Sequence, residues 1–70
     1  MKKQIVEILK NHPGLRKREV AQYLRIPHLD VIAPMYELCA EGVLKYEVYK
    51  DLPNIEYYEK YYVMEGKKND

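Results

Sequence analysis

The strongest constraint on this chain is where it cannot be helical. His12-Pro13-Gly14, Ile26-Pro27 and Gly42 interrupt its N-terminal part at three points. Proline cannot continue a helix, the residue before a proline is pushed out of the helical region, and glycine permits the turn away from a helix end. Between these stops the apolar residues have helical spacing. Met1, Ile5, Ile8 and Leu9 recur at i, i+4, i+7 and i+8, which predicts an amphipathic helix from about Lys2 to Asn11. A second helix is predicted from about Lys17 to Arg25, burying Val20, Ala21 and Leu24. A third buries Val31, Met35, Leu38 and Cys39, with Asp30 as its best N-cap and Gly42 as its left-handed terminus. Pro34 falls one turn inside that helix, where it removes a backbone bond and bends or tightens the turn.

After Gly42 the period changes to alternation. Leu44, Tyr46 and Val48 are expected to face inward, with Lys45, Glu47 and Tyr49 outward. Asp51-Leu52-Pro53-Asn54 has turn composition, and a second strand is expected from about Ile55 to Met64 with Tyr62 and Met64 inward. The expected fold class is therefore mainly α with a β-hairpin (α+β), one domain over residues 1–65 and a polar tail over 66–70.

Composition narrows the function. Seventy residues, 47% apolar and 33% charged, suit one compact domain near the lower size limit for folding without staples. No apolar run approaches the roughly 20 residues of a membrane helix, and Glu7 and Lys10 interrupt any signal-peptide core. The single Cys39 agrees with the expected cytoplasmic location, since small secreted domains carry paired cysteines. The chain has neither Ser nor Thr, so those nucleophiles and their phosphorylation are excluded. His12 and His28 have no partners at metal spacing, glycine-rich phosphate loops and convergent acid–base pairs are missing, and Cys39 reads as a small hydrophobe. No enzyme, metal or other cofactor is expected. Residues 1–28 carry a balance of +5 and residues 29–70 a balance of −4, behind a net charge of only +1. That polarity fits a basic binding face or self-association of opposite faces.

Three helices followed by a hairpin resemble a winged helix-turn-helix domain. The segment PGLRKREVAQYLRIPHLDVIAPMYELCAEGVLKYE, residues 13–47, is similar to the core of MarR-, ArsR- and PadR-type transcriptional regulators. Gly14-Leu15, Glu19-Val20-Ala21, Leu24, Leu38 and Glu41-Gly42-Val43-Leu44 fill the positions that carry the resemblance. Tyr61-Tyr62-Val63-Met64-Glu65-Gly66-Lys67 resembles the segment that closes the wing in PadR- and MarR-type proteins, without its Thr and with the Gly early. The resemblance implies a three-helix winged helix-turn-helix fold and duplex-DNA binding, although such folds also bind RNA or proteins. It also places Arg16 where those families often have a capping Ser or Thr. Their dimerising helices lie outside the wing domain, so a monomer is expected, or pairing through the first helix or the wing edge.

Arg16-Lys17-Arg18 opens the second helix with cations that oppose its dipole, which suits holding a phosphate better than it suits stability. The alternative is a solvated charged face. Lys10, Lys45 and Lys50 extend such a footprint or decorate the surface. The outer side of the third helix is expected to present Leu29, Ile32, Ala33 and Tyr36. His28 and Tyr36 can donate hydrogen bonds and Ile32 or Ala33 can touch thymine methyls, a thin set for reading bases. The stripe Leu29, Ile32, Ala33 and Tyr36 equally suits a protein partner or homodimer, or completes the core against the wing. The hairpin tyrosines read as strand and core residues, with a stacking platform for single-stranded nucleic acid as the alternative. The expected function is thus a small DNA-binding transcriptional regulator of a microbe or its virus. Arg16, Lys17, Arg18, His28, Ile32, Tyr36, Lys45 and Lys50 are its candidate contacts, and a protein-interaction module is the rival.

Overall fold

The computed structural model describes residues 1–51, 53 and 56–64. Helices α1 (Lys2–Asn11), α2 (Lys17–Leu24) and α3 (Leu29–Ala40) are followed by strands β1 (Leu44–Asp51) and β2 (Glu56–Val63). The strands form an antiparallel hairpin. This is a mainly helical α+β fold whose layout is compatible with a winged helix. Among the described residues, no helix is long and apolar enough to cross a membrane.

Each helix ends where the stops dictate. α2 gives way at Arg25, which adopts a left-handed φ of 59° and donates its N–H to Gln22, while Ile26 donates to Ala21. The helix thus stops one residue before the expected Arg25. A β-carbon in that conformation costs about 1–2 kcal/mol, so the Ile26-Pro27 break overrides a local preference. α3 begins earlier than expected: His28, not Asp30, occupies its N-cap position. The N–H groups of Asp30 and Val31 already bond Pro27 and His28, so the turn closes before Asp30 can cap it. Asp30 sits instead in the first turn, where its charge favours the helix dipole. Gly42 takes φ 81° beyond the end of α3.

The core contains Ile5, Leu9, Val20, Ala21, Val31, Met35, Leu38, Leu44 and Tyr61. Leu24 and Cys39 pack at its margin, as does Val6, which the helical spacing missed. Ile8 is half-buried and Met1 is exposed. The start of α1 is tied to the end of α3 by Lys2, whose Nζ lies 2.8 Å from Glu41 and 3.1 Å from Glu37. Both carboxylates hold the Lys2 ammonium above its ordinary pKa.

Two strand expectations are corrected. Leu44 is the only buried residue of β1, and Tyr46 and Val48 are exposed. The alternation does put all three on one side, but Tyr46 borders an open groove beside α3, 5.7 Å from the Tyr61 ring, and Val48 farther along the strand stays exposed. On β2 the buried residue is Tyr61, not Tyr62. Leu44 pairs with Val63 and Tyr46 with Tyr61, while Tyr62 pairs with Lys45. Directly opposed residues share a face, so Tyr62 lies on the side away from Leu44. Met64 is half-buried rather than core, and its N–H bonds Val43 at 2.8 Å. The expected turn begins inside β1 at Asp51, and its Leu52 and Asn54, like Ile55 and the tail from Glu65, fall outside the described residues.

Candidate nucleic-acid interface

The first turn of α2 is held against the outer edge of β2. Gly14, at φ 90°, donates its N–H to Tyr61 at 2.9 Å, and Tyr61 returns its own N–H to Leu15 at 2.9 Å. These bonds bring Arg16, Lys17 and Arg18 alongside the wing. Arg16 is the N-cap residue, and its N–H donates to the Glu19 carboxylate at 2.9 Å. A guanidinium has no acceptor with which to complete a reciprocal capping bond. It lies instead over the ring of Tyr58, 4.6 Å from the centroid. Arg18 is exposed and has no ion pair among the described residues.

Lys17 is committed differently. Its Nζ donates to Glu59 at 3.0 Å and to the Tyr61 hydroxyl at 3.1 Å, and that hydroxyl donates to the same Glu59 oxygen at 3.2 Å. The three side chains close a ring of polar contacts across the α2–β2 junction. Desolvation pulls the Lys17 ammonium down, but its bonds to Glu59 and Tyr61 outweigh this and leave it above its ordinary value. The Lys17 bond holds the Glu59 carboxyl below its usual range, and burial raises the Tyr61 phenol.

Two depressions flank this ring. One, of about 170 Å³, is lined by Arg16, Lys17, Arg18, His28, Tyr57, Tyr58 and Glu59. The other, of about 410 Å³, runs between α3 and the wing and is lined by Lys17, Ile32, Tyr36, Cys39, Ala40, Tyr46, Glu59 and Tyr61. Lys17 and Glu59 belong to both, so their ion pair divides a basic hollow from a largely apolar groove.

The structure gathers four expected contacts, Arg16, Lys17, Arg18 and His28, around the first depression. Ile32 and Tyr36 line the second. Leu29, Ile32, Ala33 and Tyr36 are all exposed, Leu29 at 75% and Tyr36 at 76%, so core completion by this stripe is ruled out. Lys45 and Lys50 line neither depression. Lys45 reaches toward the Tyr62 ring and Lys50 toward Tyr57, at 5.8 and 6.0 Å. Lys10 is exposed in the last turn of α1.

The wing tyrosines engage one another. Tyr49 and Tyr58, directly opposed, stack at 5.7 Å with 17° between planes. Lys60 lies over Tyr49 at 4.9 Å, as Arg16 does over Tyr58. The stacked Tyr49–Tyr58 pair, flanked by Lys60 and Arg16, offers bases little free ring surface, whereas Tyr46 and Tyr57 stay 51% and 65% exposed. Burial pushes the Cys39 thiol above its ordinary value, which disfavours the reactive thiolate. Glu59 was missed in the sequence. Its signal was parity, because it shares a strand face with Tyr61 and Val63, opposite the side assumed to be buried.

No protein-family model matches the chain, and no curated protein matches it significantly.

Proposed function

We propose that this chain is a small winged-helix module that binds duplex DNA and acts as a transcriptional regulator in the cytoplasm of a microbe or in cells infected by its virus. The observation that supports this reading is the basic hollow at the start of α2. Among the described residues it has Arg16, Lys17, Arg18 and His28 around it and Glu59 as its single carboxylate. Phosphate affinity requires converging cations and donors, and the α2 helix dipole adds to their field. α3 would lie against the groove beyond them. With Leu29, Ile32, Ala33 and Tyr36 on its outer side, it would contribute apolar contact and little base discrimination. Binding is therefore expected to depend strongly on salt and modestly on sequence.

The test is a salt-titrated binding assay with a random-sequence duplex. Arg16→Glu with Arg18→Glu should abolish binding at low salt, while circular dichroism shows the fold retained. Unchanged affinity would remove the proposal. Lys17 is left intact in this variant because its pairing with Glu59 would confound the result.

The exposure of Leu29 and Tyr36 favours a second reading, in which the α3 face docks on a protein partner or a second copy. Exposed aromatic and aliphatic anchors carry most of the energy of such interfaces. Tyr36→Glu would then abolish association in sedimentation experiments while leaving thermal unfolding unchanged. A wild-type chain that sediments as a monomer, alone and with candidate partners, would count against it.

A further inference from the structure

We propose that Glu59 is a built-in competitor of nucleic-acid phosphate for the ammonium group of Lys17. This rests on the phosphate-binding reading above and adds a control on the same site. Three observations carry it. The Glu59 carboxylate accepts a bond from Lys17 at 3.0 Å, the kind of bond a phosphate oxygen would accept. Among the described residues it is also the single carboxylate lining the basic hollow and the groove beside α3. A duplex lying along α2 and α3 would therefore have to pass it. Finally, the pair is accessible rather than sealed, with side-chain exposures of 27% for Lys17 and 38% for Glu59. Ion pairs at such positions are weak and can exchange partners.

The Tyr61 hydroxyl makes the exchange conservative. It accepts from Lys17 and donates to Glu59, so Lys17 keeps one protein partner when the carboxylate swings away. One of the three ammonium donors is already free of these two bonds. A phosphate arriving there meets a correctly placed cation together with a carboxylate that repels it. Glu59 thus lowers affinity for weak or isolated phosphates and yields only to a backbone that engages Arg16 and Arg18 as well.

The test compares Glu59→Gln with Glu56→Gln in the full chain, using a fluorescein-labelled random duplex across a salt series. Glu56 is an exposed carboxylate at the start of β2, so its variant removes the same net charge away from Lys17. E59Q should bind about tenfold more tightly than E56Q near 0.1 M salt, and its log–log salt slope should be steeper by about one released counterion. In a Lys17→Gln background the advantage of E59Q over E56Q should shrink, the non-additivity expected of a contacting pair. If E59Q unfolds, Glu59→Thr, uncharged and suited to a strand, takes its place. Equal affinities and slopes for E59Q and E56Q, with the wild type binding, overturn the competitor role alone. If neither the wild type nor E59Q binds at the lowest salt, the nucleic-acid reading falls and the competitor role falls with it.

Discussion

Tyr61 and Leu15 form an antiparallel bridge that fastens the wing to the helical body, with the Tyr61 N–H donating to the Leu15 carbonyl at 2.9 Å. Tyr61 is also the one tyrosine in the core, 6% exposed. Its backbone, ring and hydroxyl therefore serve three different neighbours: the Gly14-Leu15 loop, the core and the Lys17–Glu59 pair.

Removing that ring should be severe. Tyr61→Ala is expected to cost about 3–5 kcal/mol, as for other large buried aromatics. A chain this short has a total stability of only about 4–10 kcal/mol, so the variant should lose a large share of it. Tyr57→Ala, at an exposed wing position, should stay within about 0.5 kcal/mol of wild type. Urea titration followed by circular dichroism distinguishes the two, and equal losses would contradict the burial described.

Acid should weaken the α2–β2 junction. The Glu59 pKa is lowered on folding, so its contribution is complete above the ordinary carboxylate value of 4.5 and disappears as pH falls through the lowered one. Lys17 is raised above 10.5, so its contribution persists up to that value and is lost only as pH rises through the higher one. Thermal unfolding of wild type and Glu59→Gln should differ at pH 7, and the gap should narrow as pH falls below 4.5. The pair is partly exposed, so the difference should be small and should shrink with salt. A gap that does not narrow in acid would show that some other effect of the substitution is responsible.

Pro34 weakens α3 from within. It occupies the helix interior, where an ordinary residue would donate its N–H to the carbonyl of Asp30. Pro34→Ala should stabilise the chain by about 1–3 kcal/mol, raising Tm by roughly 5–15 °C. Calorimetry checks this. A lower Tm would mean that packing of the half-buried proline ring outweighs the restored bond.

The helices were largely legible without tertiary information. Pro13, Gly14, Pro27 and Gly42 mark their limits, because backbone constraints act locally. Ile5, Leu9, Val20, Val31, Met35 and Leu38 define their inner faces, because burial follows helical spacing. The cations of the candidate site were visible for the same reason: they are consecutive. The hairpin was less legible. Tyr57, Tyr58, Tyr61 and Tyr62 occupy both parities, so hydrophobicity alone could not choose the inward face of β2. The pairing of Leu44 with Val63 and the bridge from Leu15 to Tyr61 chose it. How far the body extends beneath Tyr46 and Val48 is likewise a tertiary fact. So is the partner of Lys17, which lies 42 residues away in the chain. Local chemistry determined where this chain turns and which helical sides are apolar. Only folding decided which of its charges meet, because that depends on strand register, and a shift of one residue reverses every side chain of a strand.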